Sequence, residues 1–121
     1  MGFSIISAWK KSKLVSVDVH ILEKSKKRRI ELKKSFTKAK IYSKAPTNWK
    51  GDLLVLSIKP QIFKLVANDI SEKNIKSNSV LSIMAGIKIK QIERELKVKS
   101  NIIRLMPNIA AELGLSANSI Y

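Results

Sequence analysis

The chain contains no cysteine and a single histidine, His20, among its 121 residues. The first absence excludes disulfides and thiolate metal sites, and the second excludes a metal site built from several histidines. No apolar run approaches the roughly 18 residues that a membrane-spanning helix needs. The first lysines follow the amino-terminal apolar stretch instead of preceding it, which is not the order found in a secretory signal. These absences favour a cytoplasmic protein without membrane association.

Acidic residues are also scarce, since 9 acids face 24 bases and the formal net charge is +15. Residues 24–40 carry a cluster of bases against one acid, Glu31, and such clusters can bind nucleic acid. The bases of this segment are Lys24, Lys26, Lys27, Arg28, Arg29, Lys33, Lys34, Lys38 and Lys40. Lysine outnumbers arginine 20 to 4, however, and sequence-specific DNA readers depend on arginine. Non-enzymatic binding of nucleic acid through residues 24–40 is therefore kept as the alternative function.

The length of the chain predicts one domain with an apolar core. Short apolar runs are typical of strands, and apolar residues at i, i+3 and i+4 are typical of helices. The pattern predicts helices over residues 3–14, 25–35 (with Ser25 as cap), 60–68 and 87–96. It predicts strands over 15–22, 39–42, 53–58, 80–84 and 101–106, and a polar connection over 69–78. The pattern of residues 109–121 is ambiguous, and 115–121 are compatible with a further strand. This alternation favours a parallel sheet with helices on its faces.

Three short motifs each follow or close an apolar run. They are Ile58-Lys59-Pro60-Gln61, Ser82-Ile83-Met84-Ala85-Gly86 and Arg104-Leu105-Met106-Pro107-Asn108. If the three runs are parallel strands, the motifs lie together at the carboxyl ends of one sheet. Open α/β sheets bind their ligands at that edge, so the motifs predict a ligand site.

The order and spacing of these motifs resemble pyrroline-5-carboxylate reductase, a family that reduces a cyclic imine to proline with a nicotinamide cofactor. The resemblance covers nearly the whole chain and is best over residues 52–114. It implies an α/β fold, a Rossmann-like parallel sheet with helices on both faces. The implied function is NAD(P)H-dependent reduction of 1-pyrroline-5-carboxylate to L-proline, and the implied partners are the cofactor and the imine substrate.

The resemblance also implies which residues contact the cofactor. Lys59 is a cation at a strand end, and Ala85 and Gly86 have so little side chain that a flat ring can approach the backbone. The carried-over cofactor contacts are Gly2, Lys24, Ser25, Ile58, Lys59, Pro60, Ala85, Gly86 and Asn108. Asn108 is expected near the nicotinamide ring and the substrate. No residue is assigned as catalytic or as a metal ligand.

The choice between NAD and NADP depends on the turn after the second predicted strand of the family pattern. An acid at that strand end, here Glu23, favours the free ribose 2′-hydroxyl of NAD. Lys24, Ser25 and Lys26 follow directly and are suited to the 2′-phosphate of NADP. The resemblance favours NADP, with Lys24 and Ser25 as the contacts. Lys44 replaces a family asparagine near the adenosine ribose.

Two departures from the family lead to expectations about the whole chain. Met1-Gly2 matches only the last two residues of the family's Gly-x-Gly-Asn-Met-Gly loop, and no strand precedes it. At the other end, the serine- and threonine-rich residues of the family's second, helical domain have no counterpart. Residues 1–121 are therefore expected to form a single, partial NAD(P)-binding domain without the family's helical dimerisation domain. The sheet is expected to close up, rearrange or borrow a strand, and the chain to be inactive alone, working as a homo-oligomer or with a complementing chain.

Overall fold

A computed structural model describes residues 6–7, 18–106 and 119–120 of the chain. Strands and helices alternate along it, as the sequence pattern predicts. The elements are β1 (His20–Leu22), α1 (Lys26–Ser35), β2 (Lys40–Tyr42), β3 (Lys50–Leu56), a 3-10 turn (Pro60–Ile62), α2 (Phe63–Glu72), β4 (Lys76–Ser82), α3 (Ile89–Leu96), β5 (Asn101–Met106) and β6 (Ser119–Ile120).

The strands form two sheets. β1 and β2 pair in parallel in one sheet, and the order in the other is β3-β4-β5-β6. β3, β4 and β5 run parallel, whereas β6 is antiparallel to β5. This confirms a Rossmann-like α/β fold with parallel strands. Among the described residues β1 and β3 do not pair with each other, and in the doubly wound order another strand lies between these two positions.

The core lies between the larger sheet and two helices. α2 and α3 contribute to one buried cluster with residues from β3 and β4. Its members are Leu56, Phe63, Ala67, Ile70, Val80, Met84, Ile87, Ile92 and Leu96. Helix α1 packs separately, through buried Leu32, beside β2. Helices α2 and α3 therefore pack beside each other against the larger sheet.

The prediction of a polar connection over residues 69–78 is wrong. α2 continues to Glu72 and β4 begins at Lys76. The helix continues because buried Ile70 extends the apolar stripe of Phe63 and Ala67 at helical spacing. The connection is a tight turn in which Asn74 has a φ of 53°. Long-range packing thus overrides the polar composition of the segment.

Other boundaries differ by a few residues. The helix predicted from residue 60 begins as a 3-10 turn, and the strand predicted over 80–84 ends at Ser82. The strand over 101–106 and the helix after Ser25 are confirmed, and a short strand, β6, lies within 115–121. Ile6 and Ser7 are helical, while the rest of the helix predicted over 3–14 lies outside the described residues.

An aromatic cluster connects the two sheets. The ring of His20 on β1 stacks on Tyr42 of β2 with centroids 5.7 Å apart, and it meets the edge of Trp49 at 5.8 Å. Nδ1 of His20 lies 2.9 Å from the Tyr42 hydroxyl. Trp49 directly precedes β3 and covers Gly51, where an added Cβ would lie 2.5 Å from indole Cζ2. These contacts place the ends of β1 and β2 beside the larger sheet.

Candidate cofactor site

The first two predicted motifs lie side by side. Parallel pairing sets Leu56 of β3 opposite Ser82 of β4, so both strands end at the same level. The N–H of Ile83 donates to the carbonyl of Leu56 at 3.2 Å, which holds the two chain exits together. The prediction that these motifs share the carboxyl edge of one sheet is confirmed.

At the exit of β3, the backbone is extended at Lys59 and then turns sharply. Lys59 has φ −67° and ψ 136°, and its carbonyl accepts from the N–H of Ile62 at 3.1 Å. Pro60 occupies the first position of the 3-10 turn, where its missing N–H costs nothing. Ile58 packs against the core cluster while the side chain of Lys59 is exposed. The turn therefore holds the backbone of Lys59 in place at the carboxyl end of β3, while the charged side chain of Lys59 is exposed.

At the exit of β4, Ala85 and Gly86 form a turn on the surface. Gly86 has a φ of +73°, a conformation that residues with a Cβ adopt only with strain. An added Cβ at this position would meet no atom within 4 Å, so the space above it is open. Just before the turn, the hydroxyl of buried Ser82 accepts from the N–H of Met84 at 3.3 Å. The exit of β4 is therefore open above Gly86, while the hydrogen bond to Ser82 holds the backbone that leads into the turn.

A cavity of about 410 Å³ lies where the ends of β1 and β2 approach helix α2. We call it the lysine cavity; its lining residues are Leu22, Lys24, Ser43, Lys44, Ala45, Asp69 and Lys73. Lys24 and Lys44 were singled out from the sequence. Asp69 and Lys73 were missed because they fall in the segment predicted as a polar connection. Their spacing of four residues, which puts both on one face of a helix, is the signal that could have found them.

The turn after β1 is held by its own hydrogen bonds. A carboxylate oxygen of Glu23 accepts from the N–H of Ser25 at 2.9 Å. The Ser25 hydroxyl accepts from the N–H of Arg28 at 3.4 Å and caps α1. Arg29 donates to the carbonyls of Glu23 and Lys24 at 2.9 and 2.7 Å. One carboxylate oxygen of Glu23 is therefore engaged within the turn, and Lys24 lines the lysine cavity.

Comparison with known proteins agrees with this geometry. Residues 1–86 match the sequence profile of a family described as NADP oxidoreductase, coenzyme F420-dependent. The chain belongs to this family. It is 30% identical over 97 residues to a pyrroline-5-carboxylate reductase of Vibrio alginolyticus, an alignment that covers 80% of this chain and 36% of the relative.

Two solved structures share the fold. One is 1-pyrroline-5-carboxylate reductase from Streptococcus pyogenes, with a TM-score of 0.73 and 22% identity, covering 100% of this chain and 44% of the other. The second is pyrroline carboxylate reductase of Plasmodium falciparum with NADP bound, with a TM-score of 0.74, 20% identity and the same coverage. This chain thus spans less than half the length of the proteins that it resembles.

Membership of the NADP oxidoreductase family confirms the resemblance and the expectation of a nicotinamide cofactor, with NADP as the family's cofactor. The described residues contain seven of the nine predicted contacts. Gly2 and Asn108, with the end of the third motif, lie outside the described residues. The described seven lie in two groups, at the exits of β3 and β4 and at the turn after β1.

The alternative function has gained no support. Helix α1 is basic and largely exposed, but this is also what a solvated lysine-rich helix looks like. The family and the relatives are oxidoreductases.

Within the described part of the chain, no group of three or more metal-ligating side chains occurs. Over the same residues, no helix is long and apolar enough to cross a membrane.

Proposed function

We propose that this chain is the cofactor-binding domain of a pyrroline-5-carboxylate reductase and that it binds NADP(H). The observation that carries the proposal is the adjacency of the Lys59-Pro60 and Ala85-Gly86 turns at one carboxyl sheet edge. Such an edge is where α/β folds bind dinucleotides. The names of the relatives support the choice of reductase.

In this proposal, the cofactor lies along the edge from the β1 turn to the exit of β4. Lys24 and Ser25 hold the 2′-phosphate end, and Ile58, Lys59 and Pro60 contact the middle of the cofactor. Ala85 and Gly86 let the nicotinamide ring lie against the backbone, for which the open space above Gly86 leaves room. The proposal also keeps Gly2 at the pyrophosphate and Asn108 beside the ring.

Bound NADPH would supply a hydride to the imine carbon of 1-pyrroline-5-carboxylate and leave as NADP⁺, and a proton taken from solvent by the ring nitrogen would complete L-proline. We assign no acid or base to this chain, whose part is to bind and orient the cofactor. The proposal further includes residues 1–121 as one NAD(P)-binding domain, a cytoplasmic location, and a second chain, identical or complementing, for the complete reaction.

Equilibrium binding of NADPH to the full 121-residue chain tests the cofactor role. We expect saturable binding of one NADPH per chain, followed by calorimetry or by nicotinamide fluorescence. The test variant is Gly86→Val, which fills the open space above the turn, and Gly86→Ala is the matched control, because it meets the same positive φ with a smaller side chain. Failure to saturate, or displacement of NADPH only by an oligonucleotide, would contradict the proposal and favour polyanion binding.

A further inference from the structure

Among the described residues, Ser82 is the one polar residue that is buried, with 1% of its surface exposed. It is the last residue of β4, the middle one of the parallel strands β3, β4 and β5, and it lies opposite Leu56 of β3 and Arg104 of β5. A buried hydroxyl costs free energy unless a hydrogen bond compensates for it. A serine at this level of the sheet therefore points to a hydrogen bond that the fold or the site requires.

The hydrogen bond of Ser82 is made to the turn that follows the strand. Oγ of Ser82 accepts from the backbone N–H of Met84 at 3.3 Å, a local bond of the kind that serine makes in turns. The preceding N–H, that of Ile83, still pairs with the carbonyl of Leu56 at 3.2 Å. The backbone after β4 therefore pairs with its neighbour up to Ile83, and the next N–H is bound by a side chain of the same strand.

Apolar packing holds both ends of this turn but does not orient its peptide groups. Met84 and Ile87 are buried in the core cluster, whereas Ala85 and Gly86 between them are exposed. Apolar burial is non-directional, while a hydrogen bond depends on the direction of the N–H. The Ser82 hydroxyl therefore orients the peptide group between Ile83 and Met84, directly before the exposed pair.

We propose that Ser82 is a positioning residue of the cofactor site, whose hydroxyl holds the N–H of Met84 and so fixes the Ala85-Gly86 backbone against which the nicotinamide ring lies. The inference rests on the proposed function, which puts the ring on this backbone. Because Ser82 is buried and the turn is exposed, Ser82 acts through the backbone and not by contact with the ring. A site whose supporting residues leave it loose binds its ligand less well. Ser82 should therefore affect binding of the nicotinamide half of the cofactor and not of the adenosine half.

Binding of two probes to the full chain tests the inference: NADPH, and 2′-phospho-ADP-ribose, which lacks the nicotinamide ring. The test variant is Ser82→Ala, and Ser82→Thr keeps the hydroxyl. Ser79→Ala is the matched control, because it removes a hydroxyl nearer the start of the same strand. We expect Ser82→Ala to weaken NADPH about fivefold, because the N–H of Met84 loses its acceptor. Binding of 2′-phospho-ADP-ribose to Ser82→Ala, and of both probes to the other two variants, should change by less than about twofold.

Hydrogen exchange in the free chain tests the same bond without any cofactor. In Ser82→Ala the amide of Met84 should exchange about tenfold faster, while the amide of Val80 on the same strand keeps its native rate. If Ser82→Ala does not fold, Ser82→Cys takes its place with the same expectations, because a thiol is similar in size and only a weak acceptor.

The outcomes separate the two proposals. Unchanged NADPH affinity in Ser82→Ala, equal weakening of the two probes, or an unchanged exchange rate of Met84 would overturn the positioning role and leave the cofactor role standing. The same holds if Ser82→Thr or Ser79→Ala loses as much NADPH affinity as Ser82→Ala. A native chain that binds neither probe would overturn the proposed function and the positioning role together.

Discussion

The backbone at Gly51 is covered by the indole of Trp49, two residues earlier on the same face of the chain. Gly51→Ala would bring the new Cβ to 2.5 Å from Cζ2 of that indole, so the ring must shift. Shifting it also removes the edge contact with His20 that joins the two sheets. We expect the free energy of unfolding to fall by about 1–3 kcal/mol in chemical denaturation, as for other overpacked sites.

A double-mutant cycle identifies the cause. In the background of Trp49→Ala there is no indole to displace, so adding Gly51→Ala should cost much less than it does in the native chain. An unchanged cost in that background would show that the glycine is needed for another reason, and the account of Trp49 would be wrong.

The second residue-scale prediction concerns the carboxylate of Asp18. A hydrogen bond from Nε2 of His20, at 3.1 Å, lowers the pKa of Asp18 from its ordinary 3.8, and the charge of Lys40 acts in the same direction. Because the folded-state pKa is depressed, the interaction contributes to stability above the unfolded-state value and is lost as the pH falls through the folded-state pKa.

Carboxyl NMR titration of the folded chain measures this shift. We expect the midpoint of Asp18 to lie below 3.8 and to rise toward it in His20→Leu. Lys40→Gln should raise it less, since Nζ of Lys40 lies 3.8 Å away and its side chain is exposed. A larger rise in Lys40→Gln than in His20→Leu would mean that charge, and not the hydrogen bond, dominates.

Among the elements, α2 is the one whose length depends on burial. Ile70 retains 6% of its exposure and belongs to the core cluster, whereas Leu65 on the same helix is 60% exposed. Truncation of a buried isoleucine typically costs about 2–5 kcal/mol, and truncation of an exposed apolar residue costs little. We therefore expect Ile70→Ala to lower the free energy of unfolding by about 2–4 kcal/mol.

Leu65→Ala is the matched control and should change stability by less than about 0.5 kcal/mol. Both variants are measured by urea denaturation. Similar losses in the two variants would indicate that helix propensity, and not core packing, sets the extent of α2.

Elements with a strong local signal could be predicted from the sequence. Ser25 caps α1, and the apolar run of β5 ends before Pro107, so both elements were predicted within a residue of their bounds. The second half of α2 and the start of β4 could not be predicted. Their residues are mostly polar, and what orders them is burial of Ile70 and the register of Lys76 opposite Lys50, contacts between segments far apart in sequence.

For the molecule as a whole, the sequence predicted the edge of the sheet better than the cavity. The motifs at the exits of β3 and β4 are contiguous in sequence, so their residue types could be interpreted directly. The lysine cavity is assembled from segments after β1, after β2 and at the end of α2. Only Lys24 and Lys44 carried a local signal, and the contribution of Lys73 depends on how the two sheets meet.

The net charge of +15 should make stability and cofactor binding respond to salt in opposite directions. Self-repulsion of a highly charged chain weakens the compact state, and salt screens it. We expect the Tm to rise by a few degrees between about 0.01 and 0.3 M NaCl. Over the same range NADPH affinity should fall, because salt also screens the attraction between the cofactor phosphates and the proposed contacts Lys24 and Lys59.

The double variant Lys33→Gln/Lys34→Gln, in the exposed last turn of α1, is the control for the stability term. It should reduce the gain in Tm with salt and leave NADPH affinity nearly unchanged, since neither residue is among the proposed cofactor contacts. The slope of log affinity against log salt is the decisive quantity. For duplex DNA the affinity falls with a slope of about 0.9 per phosphate neutralised. A chain that binds DNA through the nine bases of residues 24–40 would therefore show a far steeper fall than a chain that binds the few phosphates of NADPH.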